Sequence, residues 1–142
     1  MTAGNAVQLD AALCSALQEA AEALAFAEAV PADAPLEEPL TCVVLPLLEP
    51  EPGLLFIRMA QGDARALSQT AWGPIELSDE HIEQFLFEFA NVLAGQYLAV
   101  AHPDAPVRIG FAQRIGASDC PPAVAATVWD LDGCRMEVGV AA

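Results

Sequence analysis

The chain has 142 residues, a length that fits one domain with a single sizeable core. It is 55% hydrophobic with a mean hydropathy of +0.40, which excludes a disordered chain, and its 20 acidic residues against five arginines and no lysine give a net charge of −15. That balance argues against nucleic acid and against anionic membrane surfaces, both of which call for basic patches.

The first ten residues, MTAGNAVQLD, hold no basic region ahead of an apolar stretch, so no secretory signal and a cytoplasmic location are expected. Residues 6–29 are rich in alanine and leucine with apolar i, i+3, i+4 spacing, which predicts a helix ended by Pro31. A proline-rich acidic loop follows over 31–39. The runs LTCVVLPLLE (40–49) and GLLFIRMA (53–60) read as two strands joined at PEPG, with Pro46 marking an edge or a bulge. Residues 62–73 predict a short helix opened by Asp63 and closed by Gly73. The next helix is expected over about 79–101, with Ser78 as its N-cap and Asp79 and Glu80 suited to the dipole of its first turn. VRIGFAQRI (107–115) reads as a strand. AVAATVWD (123–130) and CRMEVGVA (134–141) read as a closing hairpin turned at Asp132-Gly133. Trp72, Trp129, Met59, Met136 and Phe111 are expected in the core. The four cysteines, Cys14, Cys42, Cys120 and Cys134, match neither CxxC nor a zinc spacing, so buried reduced thiols and no structural metal are expected.

Residues 85–101 approach the length of a membrane span, but Glu88, Asn91 and Gln96 within them would be costly in lipid. A core helix and no membrane contact are expected instead. At about 100° per residue, with Glu88 at zero, His81 falls near +20°, Gln84 near −40°, Asn91 near −60° and Gly95 near −20°. These five share one narrow polar strip on an otherwise apolar helix. An ordinary helix also shows a polar strip to water. This one is thin, and a glycine inside a helix costs about 1 kcal/mol relative to alanine. Glu88 and Asn91, at i and i+3, are neighbours. A carboxylate can pair with a partner's cation, and a carboxamide can hold a water in a chosen direction. No Ser/His/Asp set, Cys/His pair or phosphate-cradling GxxxxGK[ST] loop accompanies them, so the strip suits positioning rather than covalent chemistry.

EFANVLAG (88–95) resembles the ExxNxxxG core of the CheC/CheX group of chemotaxis phosphatases, relatives of the flagellar switch proteins FliM and FliN. The order of elements is similar along most of the chain, and the single motif copy is more like CheX than CheC. The resemblance implies one α+β domain over 1–142, a mostly antiparallel sheet packed against long helices that include the motif helix at about 79–101. It implies a phosphatase that hydrolyses the phosphoaspartate of a CheY-type response regulator. Asn91 would orient the attacking water, and Glu88 would pair with the regulator's phosphate-contacting lysine. His81, Gln84 and Gly95 would contact the partner. The Mg²⁺ would be the regulator's, with no cofactor of the chain's own, and a homodimer is implied by analogy with CheX.

The sequence departs from the family pattern at Gln84, where an Asp or Ser is common, and at Arg114, where CheC carries a proline. A second reading is therefore a non-catalytic CheX-like adaptor that docks a receiver or a switch component. A third has Glu88 and Asn91 buried and paired internally in a purely structural role, which depth alone would require, since charged groups below the surface are almost always paired.

Overall fold

The computed structural model describes residues 3–120 and 125–141. The first helix, α1, covers Ala3–Ala25 and stops short of the expected residue 29. Phe26 takes a φ of +54°, a conformation that a bulky side chain rarely adopts, and the Ala27 N–H donates to the Ala21 carbonyl at 3.1 Å. This turn frees β1 (Ala29–Pro31) to pair with β6 (Ala125–Leu131), Ala29 opposite Leu131 and Pro31 opposite Trp129. A local alanine-rich pattern thus loses its last turn to strand pairing with a distant segment.

The two central strands, β2 (Leu40–Glu49) and β3 (Gly53–Ala60), have the bounds that the sequence predicts and pair antiparallel from Leu40–Ala60 to Leu47–Gly53. The next helix, α2, is Gln61–Trp72, closed by Gly73 at a φ of +86° whose N–H reaches the Gln69 carbonyl. Asp63 does not cap it. The Asp63 carboxylate accepts the Arg135 backbone N–H at 3.1 Å and so ties α2 to β7 (Cys134–Ala141).

The long helix, α3, is Asp79–Ala101, as expected. The segment expected as one strand over 107–115 divides into β4 (Arg108–Ile109) and β5 (Gln113–Ile115), both paired with β2. Pro46 is the reason. Its carbonyl accepts the Gly110 N–H at 2.8 Å, but its ring has no N–H to return to the same side. The strand breaks over 110–112, and Phe111, expected in the core, stands 89% exposed.

At the C-terminal end, β6 and β7 form the expected hairpin, with Asp132 and Gly133 both at positive φ and the Asp130 carboxylate accepting the Gly133 N–H. Residues 123 and 124 of the expected strand lie outside the described residues.

Every strand pair is antiparallel, and the sheet order is β1-β6-β7-β3-β2-β4, with β5 also on β2. The three helices cover one face. There Val43, Leu45, Ile57, Met59, Trp129 and Met136 meet Leu17 of α1, Leu67 of α2 and Phe89 and Leu93 of α3. The α+β class and the antiparallel sheet under long helices are as expected. The opposite face carries a smaller cluster of Cys42, Val44 and Phe56. Of the four free cysteines only Cys42 is buried. Cys14, Cys120 and Cys134 are partly exposed, which corrects the expectation of four buried thiols.

Candidate functional site

Local chemistry fixes where α3 begins. The Ser78 Oγ accepts the His81 backbone N–H at 3.3 Å, and the His81 Nδ1 accepts the Ser78 N–H at 3.0 Å, a reciprocal capping box. The neutral ring therefore carries its proton on Nε2. Trp72, at the end of α2, donates its indole N–H to the His81 carbonyl at 3.1 Å and meets the imidazole edge-on at 4.8 Å. Trp72 is 41% exposed instead of buried in the core, because it clamps the start of α3 from outside.

From that anchored end the helix turns its apolar residues inward. Phe85, Leu86, Phe89, Ala90, Leu93, Ala94, Tyr97 and Leu98 are buried. The five strip residues stay outside: Gln84, Glu88 and Asn91 are exposed, and His81 and Gly95 are partly so. Among the described residues, neither Glu88 nor Asn91 takes part in a hydrogen bond or an ion pair. Their exposure removes the reading in which they are buried and paired. A Cβ placed on Gly95 would meet nothing within 4 Å, so the space above the strip is open. His81 sits in line with the others but has one ring nitrogen committed to the cap.

Beside the strip runs a groove of about 410 Å³ lined by Leu24, Ala71, Trp72, Gln84, Phe85 and Glu88. It has an apolar floor and a polar rim on the α3 side. Sequence reasoning missed Leu24 and Trp72 as neighbours of the site; the placement of Trp72 beside Gly73, at a helix end, was the available signal. A smaller, more enclosed cavity of about 190 Å³ lies on the far side of α3, among Thr41, Gln61, Arg65, Asp79, Glu83 and Arg114. It shares no residue with the strip and mixes both charge signs, so it is set apart from the Glu88–Asn91 pair. Among the described residues no three His, Cys, Asp or Glu side chains come together as a metal site, and no helix is long and apolar enough to cross a membrane.

The pair can therefore do two things at once. A carboxylate free of internal partners can take a cation from a docking molecule. A carboxamide one turn along can orient a water held between the two surfaces. Both sit on a helix held by core packing along its length, so their spacing is set before any partner arrives.

No protein-family model matches the sequence, and no curated protein matches it. Solved structures do match. A chemotaxis protein CheX from Desulfovibrio desulfuricans superimposes with a TM-score of 0.74 at 13% identity, over 93% of this chain and 97% of that one. A putative chemotaxis protein from Desulfovibrio vulgaris Hildenborough gives 0.75 at 14% identity, over 96% and 97%. The CheX–CheY–BeF3–Mg+2 complex from Borrelia burgdorferi gives 0.67 at 17% identity, over 92% and 95%. The chain has the CheX-like fold of the CheC/FliM superfamily.

Proposed function

We propose that this chain, with its CheX-like fold, accelerates hydrolysis of the phosphoaspartate of a CheY-type response regulator. The observation that carries the proposal is the Glu88–Asn91 pair, adjacent, exposed and without internal partners on a rigid helix. In the reaction a water oxygen attacks phosphorus while the bond from phosphorus to the aspartyl oxygen breaks. Inorganic phosphate and a free carboxylate result. Such a transfer needs an in-line water and charge stabilisation more than a protein nucleophile. Asn91 supplies the first by holding the water through its carboxamide. Glu88 pairs with the receiver's phosphate-contacting lysine and sets the docking register. His81, Gln84 and the open backbone at Gly95 contact the receiver around them. The Mg²⁺ belongs to the receiver's own acidic site, so the chain brings no metal.

A CheY-bound structure among those with this fold supports a receiver as the partner. The reading carries a cytoplasmic location with it, and by the same resemblance a homodimer, which sedimentation at twice 14.9 kDa would reveal. One observation favours a second reading. Gln84, where the family often has Asp or Ser, is exposed beside Glu88 on the groove rim, which would suit an adaptor that docks without hydrolysis.

Loss of ³²P from a phosphorylated CheY-type receiver separates the two. Faster loss with wild type, abolished in Asn91→Ala while docking persists, is the expected result. Docking without acceleration by wild type would leave the adaptor.

A further inference from the structure

Two of the four cysteines meet on the sheet face turned away from the helices. Cys42 lies within β2 and is buried, and Cys120 follows the single-turn helix Ala117–Asp119 and is partly exposed. They are 78 positions apart in the chain, yet their sulfurs are 3.3 Å apart, with the Cys42 thiol donating to Cys120. Val44, Phe56, Leu54 and Ile115 enclose them. Cys14 and Cys134 pack against the helix-side core, on the other side of the sheet.

We propose that Cys42 and Cys120 are an oxidation site that closes into a reversible intrachain disulfide, with a low-molecular-weight disulfide as oxidant. Access sets the order of events. Cys120, the sulfur within reach of solvent, gives its proton to water, and its thiolate attacks one sulfur of the oxidant. The oxidant's S–S bond breaks and one small thiol leaves. The Cys42 sulfur then attacks Sγ of Cys120 in the mixed disulfide. The second small thiol departs with the proton that Cys42 releases. Two cysteine thiols are oxidised and one disulfide is reduced to two thiols.

Chemistry assigns Cys42 to the second step. Burial, followed by the hydrogen bond and charge of Cys120, pushes its thiol up to about 12, so it is a poor first nucleophile. Once Cys120 is in a mixed disulfide, both contributions from Cys120 disappear. Arg58, directly opposite Cys42 in the β2–β3 register, remains to favour the thiolate. Closure staples the segment after β5 to the central strand β2. The strip on α3 lies on the other side of the sheet, so the staple leaves it unaltered.

The test uses the full chain carrying Cys14→Ser and Cys134→Ser, which keeps only the pair, incubated with oxidised glutathione and quenched in acid. After denaturation, both thiols are expected to be lost, the intact mass to fall by two hydrogens, and reductant to restore both. Adding Cys120→Ser is expected to leave Cys42 unmodified. Wild type, run alongside to guard against a misfolded variant, is expected to keep two of its four thiols, with peptide mapping after cleavage at acidic residues joining Cys42 to Cys120. Retention of both thiols overturns the proposal. So does a glutathione adduct on Cys120 that never resolves, or a cross-link through any other cysteine.

Discussion

Asn91 and Glu88 do different work and should fail differently. Asn91→Ala removes the group that aims the water, and a mis-positioned reactant costs about 100-fold in rate. Receiver dephosphorylation should fall by at least that factor in kcat, with KM little changed. Glu88→Gln keeps the shape and removes the charge, so the loss should appear mainly as a severalfold higher KM. Gly95 poses the opposite trade. Nothing lies within 4 Å of an added Cβ, so Gly95→Ala should raise helix stability by about 1 kcal/mol, seen as a higher thermal midpoint. The same methyl group occupies the open end of the strip, so receiver association should weaken. A residue whose replacement stabilises the fold and harms docking is kept for docking. Buried acids give a pH prediction. Burial raises the acidities of Cys42, Tyr97 and Cys134 in the folded state, Cys42 to about 12. Groups that hold their protons more tightly when folded stabilise fully below their unfolded values and lose that contribution as pH rises through the folded ones. Urea midpoints should therefore be flat near neutrality and fall between about pH 9 and 12. Cys42→Ala should flatten part of that fall.

Caps and breaks decide the elements. The Ser78–His81 box fixes the first turn of α3, and with it the rotation that faces Glu88 and Asn91 outward. Ser78→Ala should cost about 1 kcal/mol, measured by chemical denaturation, with receiver dephosphorylation reduced only as far as the strip's end frays. The signal for this box was partly legible: Ser78 as a cap is a local preference, but the reciprocal bond from His81 and the clamp by Trp72 needed α2 and α3 in contact. The break between β4 and β5 has a different origin. A Cβ at Gly110 would stand 3.1 Å from both Cβ and Cγ of Pro46, ring atoms that cannot swing aside. Gly110→Ala should destabilise by about 1–3 kcal/mol, the usual cost of overpacking. Pro46 announced an irregularity in its own strand. That the irregularity would fall on the neighbouring segment, and push Phe111 into solvent, depended on which side of β2 the missing N–H faced.

Across the whole molecule the net charge of −15 opposes an acidic receiver at long range. Three of the five arginines are already engaged in ion pairs, Arg58 with Glu137, Arg65 with Asp79 and Arg108 with Glu49. None of the five lies on the strip, which offers a carboxylate rather than a cation. Association with an acidic receiver should therefore speed up as salt screens the repulsion, the reverse of a steered encounter, and stopped-flow mixing across a salt series would read it. Disulfide closure at Cys42 and Cys120 should leave those rates unchanged, because the sheet separates the pair from α3.

The features that the sequence by itself determined are those encoded within one or two turns of chain. The β2–β3 and β6–β7 hairpins follow from turn residues between apolar runs, α3 from its cap and its period, and the strip from helix geometry alone, which makes residues three and four apart neighbours in any fold. Tertiary structure decided the rest. Whether residue 29 is helix or strand depended on an unpaired edge of β6. Whether Trp72 is core or clamp depended on what lay beside it. The Cys42–Cys120 contact exists only because the loop after β5 folds over the outer face of the sheet. Burial and pairing are properties of two surfaces, and a sequence pattern displays only one of them at a time.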